Sequence, residues 1–245
     1  MDARFTAGPL SAEAQARARS LEAANGVTVA PARGRVIAQT YATLGASLLL
    51  TALTTAFVMR DPALLAGVAS HYLWYVGGAL VLLFMMRPSS VAASTRLPLF
   101  GAFSVVEGAA LAPLCAVLEA KSPGVLVQAA TLTGTAVAAL TVAGVVFRSR
   151  TAAWGQFLFT GLIVLVVASL LAMFSGGASS ATGTWLSAVG VFLFSGYLVY
   201  DTGRLVDTYW RAPGAYVHCA VALYLDVLNL FLNIASLLSG GRSRR

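Results

Sequence analysis

Seven long apolar segments, separated by short polar or charged breaks, dominate the pattern of this chain. They span residues 36–59, 65–86, 97–118, 124–147, 152–174, 183–206 and 214–239. A helix needs about 20 apolar residues to cross a bilayer, and each segment is long enough to do so. Because backbone groups in lipid must be satisfied within the segment, and no alternating barrel pattern is present, the segments are predicted to be helices.

Composition strengthens this prediction. Of the 245 residues, 58% are hydrophobic and 10% are charged, whereas soluble domains average about 25% charged residues. We therefore expect an all-α integral membrane protein with a seven-helix membrane domain over residues 36–240. Residues 1–35 are expected to form a mostly flexible cytoplasmic tail, and residues 241–245 a short basic tail.

The basic residues predict the orientation of the chain. The net charge is +7, but the arginines lie in tails and short loops, which fits the positive-inside rule better than nucleic-acid binding. The loops after the second and fourth segments hold two Arg each, and Arg204 and Arg211 lie at the end of the sixth segment and in the loop after it. The N-terminus is therefore predicted to face the cytoplasm. The basic C-terminus is then either translocated or follows a re-entrant last segment, and the length of that segment favours seven crossings.

Three acidic residues interrupt the apolar segments: Glu107, Asp201 and Asp226. A charged side chain at the centre of a bilayer costs about 2.5–3.5 kcal/mol on insertion scales, so an intramembrane acid is interpreted first as functional. Asp226 lies near mid-segment with no basic residue within a turn. Asp201 lies near a helix end, where an ion pair with Arg204 is the alternative interpretation. For Glu107, a functional role and a neutral, hydrogen-bonded carboxylic acid are equally open.

The last segment carries a polar stripe. Asp226, Asn229 and Asn233 are spaced at i, i+3 and i+7, which places them on one helical face. Such a stripe predicts a helix that faces other helices or water rather than lipid. Close helix packing is predicted at two further places. Small or hydroxyl residues share a face in the fourth segment (Ala130, Gly134, Ala138) and in the first (Thr40, Thr43, Ser47, Thr51, Thr54).

The two aspartates can meet, because a short loop joins their segments and antiparallel neighbours are expected. At 1.5 Å rise per residue, Asp201 lies roughly 6–10 Å deep and Asp226 roughly 15–18 Å, so contact is allowed but not required. Two carboxylates in contact share a proton, since both cannot ionise cheaply in a medium of low dielectric. When ionised they attract a hard cation such as calcium, and Asn229 offers a further oxygen.

The chain resembles the transmembrane Bax-inhibitor-motif family at these same residues. The resemblance rests on Phe-Ser-Gly-Tyr-Leu-Val-Tyr-Asp at 194–201 and Ala-Leu-Tyr-Leu-Asp-Val-Leu-Asn-Leu-Phe at 222–231. It implies a seven-helix bundle whose last helix is surrounded by the other six. It also implies a pH-sensitive calcium leak, with Asp201 and Asp226 matching the paired aspartates of the family.

The second segment departs from this family. Some bacterial relatives carry an acid there that pairs with an arginine at the end of the helix, whereas residues 72–86 hold no acid and only Arg87 matches. Glu107 is a candidate for a related role. The Arg bias and high Ala content are similar to those of bacterial members, which implies a location in the bacterial plasma (inner) membrane.

Two functions remain open. The first is a proton-gated calcium leak across the bilayer, with calcium bound transiently by Asp201 and Asp226. The second is a regulator without transport activity that binds a membrane protease or a stress or cell-death partner. We expect no enzyme, since Tyr-Asp-Thr at 200–202 lacks the Gly-x-Gly-Asp context of aspartyl membrane proteases. No resident cofactor is expected, because Cys115 and Cys219 have no metal-binding spacing.

Overall fold

The computed structural model describes residue 13 and residues 33–87, 92–151, 153–174, 180–207 and 215–242. The predicted flexible tail lies outside these residues, except for residue 13 and residues 33–35, where the first helix already begins. Eight helices form within the described ranges. They are α1 (Arg33–Arg60), α2 (Pro62–Ser70), α3 (Tyr72–Met85), α4 (Ala93–Lys121), α5 (Val125–Thr151), α6 (Trp154–Phe174), α7 (Ser180–Asp207) and α8 (Ala215–Arg242).

The predicted all-α membrane fold is confirmed over the described residues. Six helices, namely α1 and α4 to α8, are each long and apolar enough to cross a membrane. The short helices α2 and α3 pass the same test only as a pair, and counting that pair as one span gives seven.

The second predicted segment is wrong in one respect, because it is not a single helix. The chain bends by 73° between α2 and α3. Asp61 caps the start of α2 by accepting hydrogen bonds from the backbone of Ala63 and Leu64. At its other end, the hydroxyl of Ser70 donates to the Gly67 carbonyl oxygen, and His71 Nδ1 lies 3.0 Å from that oxygen. The Gly67 carbonyl oxygen also accepts the backbone N–H of His71, so backbone and side chains together satisfy the last turn of α2.

Helix α8 occupies the centre of the bundle. It packs most extensively against α7 and also against α1, α5 and α4, while α6 packs on α7 and the α2–α3 pair packs on α4. Tyr224 on α8 is completely buried, and its ring makes edge contacts with Phe100 and Phe103 of α4. The last helix is therefore central, as predicted, but within the described residues its extensive contacts reach four of the other six spans rather than all of them.

Small residues set the closest helix contacts. A Cβ on Gly108 would lie 2.6 Å from the carbonyl oxygen of Thr51, and a Cβ on Gly144 would lie 2.6 Å from the Cβ of Thr202. Thr51 belongs to the predicted hydroxyl face of α1, and that face is indeed turned inwards. The other predicted small-residue face is wrong. Because Gly144 and the face carrying Ala129 make the contacts of α5, three small residues remain exposed: Ala130, Gly134 and Ala138.

An ionic cluster shows which helix ends lie together. Asp207 at the end of α7 lies 3.1 Å from Arg148 on α5 and 4.0 Å from Arg33 at the start of α1. We call this side of the bundle the Arg33 face. Helix α8 begins shortly after α7 ends, and its 28 residues extend for about 42 Å at 1.5 Å rise each. The last segment is therefore one continuous helix, long enough to reach the opposite face.

Candidate functional site

Helices α7 and α8 bring the two predicted aspartates together. The carboxyl groups of Asp201 on α7 and Asp226 on α8 lie close enough to interact with each other, and both line one cleft. Nearer the opposite face, Asn233 of α8 lies directly against Gly190 of α7. Along α7 the position falls from 201 to 190 while along α8 it rises from 226 to 233, which is the register of an antiparallel pair. The contact that the sequence allowed is therefore present.

The environment of the pair is strongly asymmetric. Asp226 is only 6% exposed, and its Oδ2 has no hydrogen-bond partner within the described part of the chain. Asp201 is half-buried. An ionised carboxylate can only accept hydrogen bonds, so a bond between two carboxyl groups requires a proton on one of them. A direct hydrogen bond between these two groups would therefore use one shared proton, and Oδ2 of Asp226 would remain as an acceptor.

A cleft of about 840 Å³ lies between α6, α7 and α8, and both aspartates line it. On α8 its wall continues from Asp226 to Asn229 and Asn233, so the predicted polar stripe does face an interior space. Leucine, valine and phenylalanine side chains supply much of the remaining lining, most of it from α6 and α7. The cleft therefore has one polar side, formed largely by the stripe on α8.

The two asparagines of the stripe are held in the same way. Nδ2 of Asn229 donates to the carbonyl oxygen of Leu225 at 2.8 Å, and Nδ2 of Asn233 donates to that of Asn229 at 2.7 Å. Each amide nitrogen is thus fixed to the preceding turn of its own helix. The amide oxygen of Asn229 is left as an acceptor beside the aspartate pair, and oxygen is the ligand type that calcium prefers.

Arg204 makes a contact other than the predicted pairing with Asp201. Its Nη1 donates to the hydroxyl of Tyr200 at 2.7 Å, and its guanidinium lies 5.5 Å from the centre of that ring. Gly155 on α6 provides the space for the Tyr200 hydroxyl. Arg204 is still close enough to Asp201 to interact with it electrostatically. Arg204 thus supplies positive charge near the pair while Asp201 bonds to Asp226.

The structure places the other two predicted residues away from the pair. Glu107 is half-buried on α4, on the side of α8 that carries Tyr224, and it does not line the cleft of about 840 Å³. Arg87 follows α3 and lines a second cleft of about 240 Å³ at the start of α8. The Arg87 guanidinium lies 4.3 Å from the centre of the Phe84 ring.

Sequence reasoning missed several cleft residues. Tyr197 lines the larger cleft and interacts electrostatically with both aspartates. It lies one turn before Asp201, so the same i, i+4 spacing used for the stripe on α8 also identifies it. Ser187, another buried polar residue of this cleft, lies ten residues before Tyr197, and a single serine in an apolar segment carries no comparable signal in the sequence.

The described side chains form no cluster of the kind that usually holds a resident metal ion. Among them no group of three or more His, Cys, Asp and Glu side chains is arranged to hold a metal ion. A calcium ion at this position would have two carboxylates and the Asn229 amide oxygen, and it takes six to eight oxygens in total, so water would supply the rest. Such a donor set suits an ion that passes or binds weakly.

The fold and the site together define a multi-pass helical membrane protein with a buried carboxylate pair beside a cleft. Residues 33–244 match the model of the family described as inhibitor of apoptosis-promoting Bax1. The chain belongs to this Bax inhibitor family.

Relatives occur in bacteria, plants and animals. An uncharacterized membrane protein of Vibrio cholerae is 31% identical over 65% of this chain and 70% of its own length. The BI1-like protein of Arabidopsis thaliana is 33% identical over 84% of this chain and 80% of its own length. Protein lifeguard 4 of Mus musculus is 30% identical over 81% of this chain and 82% of its own length. The predicted family is thus confirmed.

Proposed function

We propose that the protein is a pH-sensitive cation leak, chiefly for calcium, controlled by Asp201 and Asp226. One observation carries the proposal: two carboxyl groups in contact at membrane depth, with an unpartnered oxygen on Asp226, line a cleft of about 840 Å³. Ionisable residues within a membrane commonly mark ion pathways and proton relays. A pH-controlled cation path needs a proton that can leave and oxygens that can bind the cation, and the pair offers both.

The mechanism follows from the state of the shared proton. With the proton present, the pair carries one negative charge and its hydrogen bond holds α7 to α8. When the proton leaves, two like charges are in contact, and their repulsion weakens this part of the helix interface. The same charges then attract a divalent cation, and the Asn229 oxygen adds a ligand. We therefore expect flux to rise as the pair loses its proton.

The remaining predicted residues receive secondary roles in this proposal. Arg204, held by Tyr200, limits the negative charge near the pair. Arg87 lies beside the smaller cleft, where its positive charge opposes the entry of cations. Glu107 lies apart from both clefts, and its place beside Tyr224 supports a role in the packing of α4 and α8 rather than in ion binding. We propose no enzymatic activity and no resident cofactor.

Calcium-loaded liposomes containing the purified protein test the proposal. Wild-type efflux is expected to depend on pH, and Asp201→Asn and Asp226→Asn should each flatten that dependence, because an amide cannot lose the controlling proton. Asp61→Asn is the matched control, since Asp61 caps α2 outside the clefts and Asn also caps helices well. Efflux that is absent from wild type, or unchanged in both cleft variants, would contradict a calcium leak.

The second candidate is a regulator that binds a membrane-protein partner and transports nothing. The family description, inhibitor of apoptosis-promoting Bax1, favours this role. Purification in mild detergent tests it. A second protein that co-purifies in a fixed ratio with both the wild type and the Asp226→Asn variant, together with an absence of calcium flux, would support the regulator over the leak.

The proposed location is a bacterial plasma membrane with the Arg33 face in the cytoplasm. The support is the bias of arginines towards the loops on that face. Protease protection of a tag fused ahead of residue 1 in sealed cells would test the orientation.

A further inference from the structure

One face of α8 runs past both clefts. His218, Ala222, Leu225, Asn229 and Asn233 succeed each other at intervals of three or four residues and therefore lie along a single line on the helix. His218 lines the smaller cleft, and the two asparagines line the larger one. The line is thus polar towards both ends and apolar only in the middle.

The apolar middle is also the place where the two clefts adjoin. Ala222 and Leu225 line both of them. Along α8 the smaller cleft runs from Val217 to Leu225, and the larger runs from Ala222 to Asn233. Together they follow α8 for about 24 Å at 1.5 Å rise per residue, which is most of the hydrocarbon thickness of about 30 Å.

We propose that Leu225, together with Ala222, forms the hydrophobic seal that closes the path between the two clefts. Hydrophobic constrictions close pores by excluding water, and a leucine placed between two clefts that each hold polar side chains would have this effect. The smaller cleft offers Arg87 and His218 on one side of the seal, and the larger offers Asp226 and Asn229 on the other. The aspartate pair is then reached by water and ions from the face opposite the Arg33 face.

The seal deepens the proposed function, and its ion-conducting consequence rests on that function, but the barrier can be measured without any flux. A background lacking Cys115 and Cys219, which are both buried, receives a single cysteine as Asn229→Cys or His218→Cys. Sealed vesicles of known orientation are then exposed on one side to a small, charged methanethiosulfonate reagent. Asn229→Cys should react from the face opposite the Arg33 face, and His218→Cys from the Arg33 face.

Opening the seal should remove this sidedness. Adding Leu225→Ser is expected to raise the rate at which each cysteine reacts with reagent on its protected side by about tenfold or more, because a small polar side chain no longer excludes water. Leu237→Ser is the matched control, since Leu237 is a half-buried leucine of α8 that lines neither cleft. This control should leave the sidedness unchanged.

Two results would overturn the seal. The first is reaction of Asn229→Cys from both faces while Leu225 is intact, and the second is unchanged sidedness in Leu225→Ser. Calcium efflux in liposomes separates this failure from that of the proposed function. One-sided labelling without any efflux would leave the seal standing and reject the leak. Two-sided labelling with pH-dependent efflux would reject the seal and leave the leak standing.

Discussion

The amide of Asn233 on α8 lies against the backbone of Gly190 on α7, where nothing larger than hydrogen fits. A Cβ at Gly190 would lie 2.7 Å from Nδ2 of Asn233 and still closer to its Oδ1. Gly190→Ala should therefore push the asparagine or the helix aside and lower stability by about 1–3 kcal/mol, the usual range for overpacking. A lowered thermal unfolding temperature of the detergent-solubilised protein is the expected observation.

Two variants make this prediction specific. Asn233→Ala in the Gly190→Ala background should restore much of the lost stability, because it removes the group that the new methyl strikes. Gly134→Ala is the matched control, since a Cβ there meets nothing within 4 Å, and it should be neutral or stabilising by up to about 1 kcal/mol. Equal losses at both glycines would show that the Asn233 contact is not responsible, because helix propensity alone favours alanine at both positions.

A buried hydroxyl pair joins α1 to α8 and predicts a second set of effects. Thr51 Oγ1 lies 2.6 Å from Tyr224 Oη and 3.1 Å from the carbonyl oxygen of Ser104. Either hydroxyl can donate this bond, and the two carbonyl oxygens within reach of Thr51 Oγ1, those of Ser47 and Ser104, favour Tyr224 as the donor. Tyr224→Phe should destabilise by about 0.5–1.5 kcal/mol, the net value of a typical hydrogen bond.

A double-mutant cycle provides the measurement for this pair. Tyr224→Phe and Thr51→Val combined should cost less than the sum of the two single changes, because each removes the same bond. Tyr72→Phe should have little effect, since Tyr72 is 46% exposed. Strict additivity would mean that the two hydroxyl groups do not interact.

Much of the membrane architecture follows from sequence, because a run of about 20 apolar residues is sufficient to place a helix in a bilayer. The exception at His71 has a physical reason. Ser70 and His71 look like an ordinary polar interruption, and the sequence does not reveal that both side chains contact the Gly67 carbonyl oxygen where α2 ends. Nothing in the hydrophobic pattern encodes that local choice.

The site was partly predictable for a similar reason. Periodicity identifies the face of α8 that carries Asp226 and Asn229, but it contains no information on the register between two helices. That register depends on close contacts such as Gly190 with Asn233. Glu107 illustrates the same limit, since its depth is evident from sequence while the side of α8 that it faces is not.

The aspartate pair predicts how stability depends on pH. In the proposed mechanism, loss of the shared proton places two negative charges next to each other, with Asp226 almost fully buried. The folded state is therefore expected to become less stable as pH rises. Of the other groups near the pair, Tyr197 stays neutral and Arg204 stays positively charged in mildly acidic to mildly alkaline buffer, because both side chains titrate only at high pH. Asp226→Asn should therefore abolish most of the pH dependence.

Thermal unfolding across this pH range measures the effect. Glu107→Gln serves as the control, because Glu107 is also an intramembrane acid but lies away from the pair, and it should leave the slope attributable to the aspartates in place. A wild-type protein that gains stability with rising pH, or an Asp226→Asn variant with the wild-type slope, would argue against a shared proton.

The ion pairs of Asp207 are expected to matter little. Its side chain is 39% exposed and those of Arg33 and Arg148 are 41% and 45% exposed, and exposed pairs contribute about 0–1 kcal/mol. Asp207→Asn should therefore lower stability by less than Tyr224→Phe does at the buried hydroxyl pair. The small loss should also shrink further in high salt, because screening weakens the wild-type pairs. A loss that exceeds the Tyr224→Phe effect and persists in high salt would instead assign Asp207 a structural role at the Arg33 face.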